Sequence, residues 1–177
     1  MEDVYDGTSR GLPFGEVLQS LDLTVSTQSL QPWSRWITPA ASFTSTRRFD
    51  TRFFIVSARA GQQALHDDHE AVDSVWTTPR AALDKYWRGD IALVPPQIMS
   101  LAHLARHDSA DSVFAEARRQ GPYLVQPMPF EEDGVKAIAY PGDPRHSQAT
   151  AVMPGPSRLI LRNGRLEPAG GFTALFD

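Results

Sequence analysis

Hydrophobic positions along this chain fall in short runs whose spacing changes from one segment to the next. Near the N-terminus, "LPFGEVLQSLDLTV" sets Phe14, Val17, Leu18 and Leu21 on one face at helical spacing and predicts a short amphipathic helix. "LQPWSRWITPAA" reads as extended: Trp33 and Ile37 fall on one side at even spacing, and Pro32 and Pro39 oppose helix. After the Ser/Thr-rich connector "SFTST", Phe53, Phe54, Ile55 and Val56 form an apolar run of β-preferring residues, so a buried strand is expected. The polar "RAGQQALHDDHE" separates it from "AVDSVWTT", where Val72, Val75 and Trp76 predict a further strand. Phe53, Phe54 and Trp76 are expected in the core.

Helix signals then become sharper. In "TTPRAALDKYWRG", Thr78 can cap, Pro79 suits the first turn and Gly89 can end the helix. The double proline of "LVPPQIMSLAHLARH" starts another helix, with Ile98, Leu101 and Leu104 or Ala105 turned inward. "SADSVFAEARRQG" predicts one more, capped by Ser109 and closed by Gly121. Beyond it lie the extended segments "YLVQPMPF" and "VKAIAY", with Asp133-Gly134 as a turn between them. In "SRLILRNGRLEP" two short runs flank Asn163-Gly164, a pair that favours a tight hairpin because both central residues must reach positive φ. The layout is mixed α/β or α+β, with several helices after the main strands.

Composition narrows the function classes. The 177 residues suffice for one buried core, and 41% hydrophobic against 21% charged residues fits a globular chain. A net charge of −4 lacks the basic field of a phosphate-backbone binder, so nucleic acid is not an expected partner. With no cysteine, disulfides, thiolate metal sites and cysteine nucleophiles are excluded, which suits a reducing cytoplasm. The acidic "MEDVYDGTSRG" start is no secretory signal, and no apolar run approaches the ~20 residues of a membrane-spanning helix.

The ordered series "PWSRWITP", "RRFDTRFFIV", "HEAVDSVWTTPRAAL" and "LVPPQIMSLAHLA" resembles the C-terminal part of Nudix hydrolases, in the acyl-coenzyme A diphosphatase branch. The resemblance runs from about Leu12 to Asp143. It implies an αβα sandwich, a coenzyme A-like or nucleotide ligand, and cleavage of a diphosphate linkage with magnesium or manganese. It divides the chain into a polar segment 1–11, a Nudix-like domain 12–146 and a hairpin tail 147–177. The family's chemistry resides in the Nudix box, G-x5-E-x7-R-E-U-x-E-E-x-G-U, whose glutamates hold the metals that neutralise charge and activate water. The box is absent from this sequence. It would precede "LPFGEVLQSL", where only residues 1–11 stand, so a domain incomplete at its N-terminus is expected, and an in-frame box upstream of Met1 would restore the enzyme. "FEEDGV" at 130–135 matches only the end of the pattern: Pro127 and Met128 occupy the Arg-Glu positions, and Pro127 and Pro129 oppose the required helix.

Several residues remain as candidates for chemistry. His66, Asp67, Asp68, His69 and Glu70 crowd a polar loop without the spacing of a helical metal motif, and a solvated loop explains them. Carried over from the family, Glu70 is the candidate general base or auxiliary metal ligand, set against a surface acid at a strand start. Arg47, Arg48 and Arg52 can hold phosphates through bidentate hydrogen bonds, or form an ordinary basic strand edge. Trp36, with Trp33, can stack an adenine or pack in the core. His103 and His107 stand four apart, a spacing that binds metal; without an acid nearby they read as a polar helix face. The expectation is a Nudix-like pseudoenzyme in the cytoplasm, or else a non-catalytic binding or oligomerisation module. Loss of the N-terminal half would bare apolar surface, so self-association or a protein partner is expected as well.

Overall fold

The computed structural model describes residues 7–8, 10–39, 47–58, 60–61 and 73–177. The chain divides into two compact units, Met1–Leu30 and Gln31–Asp177. In the smaller one, helix α1 (Phe14–Ser20) forms where the helical spacing predicts it, but only Val17 is buried and Phe14 is half exposed.

Among the described residues, the larger unit holds two sheets and three α-helices. In the first sheet β1 (Gln31–Ile37) lies between β2 (Asp50–Ile55), antiparallel to it, and β3 (Tyr123–Val125), parallel to it. A bulge at Trp33 shifts the β1–β2 register between Pro32 and Ser34. That extra residue breaks the simple alternation. Trp33 and Trp36, three positions apart, are therefore both 3% exposed, where even spacing paired Trp33 with Ile37. The second sheet is an antiparallel meander of β4 (Met128–Glu132), β5 (Val135–Ala139), β6 (Arg158–Arg162) and β7 (Arg165–Glu167). Its hairpins turn at Asp133-Gly134 and Asn163-Gly164, all four residues at positive φ. Because β6 pairs with β5, the C-terminal hairpin is built into this sheet.

Helices α2 (Pro79–Arg88), α3 (Pro95–Leu104) and α4 (Ala110–Gln120) follow their sequence signals closely. The Thr78 hydroxyl accepts from the Ala81 N–H and Gly89 closes α2 in the left-handed conformation; Ser109 caps α4 through the Ser112 N–H. The core joins Leu83 and Tyr86 of α2, Ile98, Met99 and Ala102 of α3, Trp36 and Val125 of the first sheet, and Ile138, Leu159 and Leu166 of the second. Each such large side chain taken fully out of water contributes about 1.5–3 kcal/mol.

Two expectations are corrected. The 53–56 run is the edge of its sheet rather than a buried strand, and Phe54 and Val56 are half exposed while only Phe53 packs on the core. Residues 73–78 form no strand, and Val75 and Trp76 are exposed; they precede a helix cap, and no described strand pairs with them. Among the described residues, no helix is long and apolar enough to cross a membrane.

Candidate functional site

An apolar cleft of about 340 Å3 opens where the two sheets meet the start of α3. Trp36, Ile37, Thr38 and Pro39 of β1 and its exit, with Phe49, Thr51 and Phe53 on β2 and its entry, form one side. Val94, Pro95, Pro96 and Gln97 at the N-terminus of α3 face them, and Pro127, Pro129 and Ile138 close the floor. Strand alternation explains the lining: Thr51 and Phe53 point one way, Arg52 and Phe54 the other. Trp36 is anchored by its indole N–H, which donates to Ser34 Oγ at 3.2 Å. Five prolines in the lining hold the backbone without offering N–H donors, so the cleft offers shape and apolar contact more than hydrogen bonds.

The sequence-derived candidates separate around this cleft. Trp36 is one of its walls, by its buried ring. Arg47 and Arg48 lead into Phe49, and the Arg48 Nε donates to the Thr38 carbonyl at 3.4 Å, which keeps it at the rim. Arg52 faces away, exposed, 3.9 Å from Asp50. Asp50 instead holds Arg35 in a bidentate pair at 2.6 and 2.7 Å; hydrogen bonding to Arg35 keeps the Asp50 carboxyl below the ordinary carboxylate range. Glu70, with His66, Asp67, Asp68 and His69, lies outside the described residues.

His103 and His107 are not a polar helix face. His103 is 1% exposed, and the acid that the sequence reading did not supply is Glu116 on α4, 3.0 Å from His103 Nε2 and 3.1 Å from His107 Nε2. Burial depresses the His103 pKa against the pull of Glu116. Burial acts to raise that of Glu116, but the Tyr123 hydroxyl, which donates to Oε1, and the two imidazoles outweigh it and leave the carboxyl below its usual value. His107 lies three residues beyond the end of α3, so the two histidines do not share a helix face, and Glu116 reaches both only through the packing of α4.

This trio is the one group of three or more potential ligands that converges among the described residues. Two imidazoles and one carboxylate do not make the oxygen-rich shell that magnesium or manganese takes. The described residues therefore do not fit the metal centre of the Nudix box.

Comparison with known proteins supplies the family. The chain is similar to the acyl-coenzyme A diphosphatase NUDT19 of Xenopus laevis, 39% identical over 144 residues that make up 78% of this chain and 38% of the frog protein. The human protein of the same name is 37% identical over 89 residues, 50% of this chain and 24% of its own length. That of Gallus gallus is 26% identical over 102 residues, 56% of this chain and 27% of its own. The chain thus spans well under half the length of these relatives. No solved structure gives a match of comparable significance. The model of the NUDT19 Nudix domain matches residues 9–104, more than half of the sequence, and the chain belongs to that Nudix family, whose members generally use divalent metals.

Proposed function

We propose that this chain binds the acyl–pantetheine arm of a coenzyme A thioester in the apolar cleft, and that alone it does not hydrolyse the diphosphate. The observation that carries the reading is the cleft itself. Its volume of about 340 Å3 sits within the usual range of ligand pockets, and its walls are aromatic, proline and aliphatic with Thr38, Thr51 and Gln97 as the polar exceptions. A lipid-like tail gains about 0.8 kcal/mol for each buried methylene in such a site. Arg48, which donates to the Thr38 carbonyl of the lining, and its neighbour Arg47 are the candidates for the phosphates, and the names of the relatives point to the same ligand class.

The absence of the box carries the second half of the proposal, since no described carboxylate group replaces its metal ligands. The test has two arms. Titration of Trp fluorescence with acyl-coenzyme A of increasing chain length should saturate, with tighter binding for longer chains. Incubation with coenzyme A, ADP-ribose and nucleoside diphosphate derivatives in magnesium or manganese should give no robust turnover. Robust turnover by the 177-residue chain, abolished in Glu70→Gln, would overturn the claim of catalytic impairment.

A second reading, a protein-interaction module, is favoured by one observation. One face of the first sheet exposes Phe54 and Leu124, each 50% exposed, and β2 is its edge strand among the described residues. Exposed apolar side chains at a strand edge favour pairing with another chain. Light scattering at rising concentration tests it: a strict monomer refutes self-association.

A further inference from the structure

The cluster of His103, His107 and Glu116 brings one ligand atom from each residue within 4.8 Å of the others. Its hydrogen bonds fix where the lone pairs point. Ser112 Oγ donates its single proton to the Ser109 carbonyl at 2.8 Å. The 3.1 Å contact between Ser112 Oγ and His107 Nδ1 therefore requires the imidazole to be the donor. A neutral His107 so oriented carries its bare lone pair on Nε2, directed toward Glu116 Oε2 at 3.1 Å. That Nε2 is buried and makes no hydrogen bond with any described group. A lone pair held against a carboxylate repels it, and a positive charge between the two relieves the repulsion.

The geometry points to a transition-metal ion of the zinc class held by His103 Nε2, His107 Nε2 and a Glu116 carboxylate oxygen. Two imidazoles and one carboxylate match that class, with ligand bonds of about 2.0–2.2 Å. Tetrahedral ligands on such bonds stand ~3.3 Å apart; here His103 Nε2 is 3.0 Å from Glu116 Oε1, His107 Nε2 is 3.1 Å from Oε2, and one ligand atom from each residue lies within 4.8 Å of the others. The supporting contacts are those that metal sites use: Ser112 sets the tautomer of His107, and Tyr123 bonds the carboxylate. Trp33, with its ring centre 4.6 Å from that of His103, walls the site with an apolar face. Binding would leave His103 with its proton on Nδ1, with three protein ligands supplied by the cluster. The site is independent of the acyl reading, because none of its residues lines the cleft.

The test uses the full chain, freed of metal with chelator and titrated with Co2+, then with Zn2+ in competition. The expected result is one equivalent bound, with the visible absorption of tetrahedral cobalt, quenching of Trp fluorescence, and loss of both on adding Zn2+. His107→Gln and Glu116→Gln, which remove ligands, should each weaken binding by at least roughly 100-fold, the top of the range for losing a mere outer-shell partner. Glu116→Gln keeps an acceptor for Tyr123, so it guards against a variant that merely fails to fold. Replacing His66 and His69 together should leave the titration unchanged. No cobalt absorption in the wild-type chain would refute the site. A signal that survives His107→Gln, or disappears with His66 and His69, would refute it equally by placing the metal elsewhere.

Discussion

Replacing Val94 by aspartate separates the cleft from the fold that builds it. Val94 is the N-cap of α3, in extended conformation with φ −93° and ψ 161°, and its N–H donates to Gln97 Oε1 at 3.0 Å. Valine has no acceptor to return, so the reciprocal half of a capping box is missing. An aspartate supplies it and places negative charge at the positive end of the helix. The gain stays small, about 0.5 kcal/mol rather than the ~1 kcal/mol of a typical cap. Pro95 and Pro96 have no N–H to satisfy, and the Gln97 N–H already donates to the Val94 carbonyl at 2.9 Å. Val94 is 53% exposed, so the lost burial is of the same order and opposite sign. The melting temperature should stay within roughly 2–4 °C of wild type. Binding should change far more, because the new carboxylate lines the cleft. In the wild-type chain each added methylene of an acyl-coenzyme A series should tighten Kd by about fourfold until the cleft is full, from ~0.8 kcal/mol per methylene. In Val94→Asp the slope should flatten, since burying a methylene there means desolvating a charge. Val94→Thr, which adds a capping oxygen without charge, should keep the slope. An unchanged slope in the aspartate variant, or equal flattening in the threonine variant, would refute the cleft as the acyl site.

Two further outcomes follow from buried polar contacts. Asp143, 1% exposed, takes two bonds from Arg158 at 2.7 and 2.8 Å and one from Ser157 at 2.9 Å; Asp143→Asn should cost about 3 kcal/mol in a urea melt by leaving the arginine unmatched. Burial pushes the Asp143 carboxyl upward, but Arg158, the Arg145 N–H and Ser157 outweigh it and hold it below the ordinary range. The stability it contributes is therefore full above a pH of about 4 and lost as the pH falls through the lowered native value, so the gap between wild type and Asp143→Asn should narrow only in acid. The Tyr86 hydroxyl donates to the Leu166 carbonyl at 2.9 Å and accepts its N–H at 3.0 Å; Tyr86→Phe orphans both and should cost about 1–3 kcal/mol by calorimetry. A loss below roughly 0.5 kcal/mol would mean that water replaces the hydroxyl.

Local signals carried through to structure wherever a terminus or turn needs one residue type. Thr78, Pro79 and Gly89 around α2, Ser109 and Gly121 around α4, and the turns at 133–134 and 163–164 all form as their chemistry requires. Signals that depend on a partner failed. The apolar run at 53–56 cannot report that its strand ends up at a sheet edge, and the bulge at Trp33 is invisible until β2 is laid beside β1. Glu116 was missed for the same reason: its meeting with His103 and His107 depends on how α4 packs, not on any spacing within one helix. Trp36 lines the cleft, but the cleft as a whole was not legible, because its prolines come from segments far apart in sequence.

The cleft and the histidine cluster lie at opposite ends of the same two elements, and this arrangement makes their coupling measurable. Trp36 at the end of β1 lines the cleft, while Trp33 covers His103. On α3, Pro95 lines the cleft and His103 belongs to the cluster. The helical rise puts those two residues ~12 Å apart along the axis. Changes separated by more than about 7–10 Å, without shared partners, add within roughly 0.5 kcal/mol. The double variant Val94→Asp/His107→Gln should therefore have the summed stability change of its single variants, and Zn2+ should leave the acyl-chain slope of the wild-type chain unaltered. A coupling above about 1 kcal/mol, or a slope that changes with Zn2+, would mean that α3 shifts as a unit between two positions and that the two sites regulate one another. A thermal melt series on four proteins, with and without metal, decides between independent sites and a single coupled device.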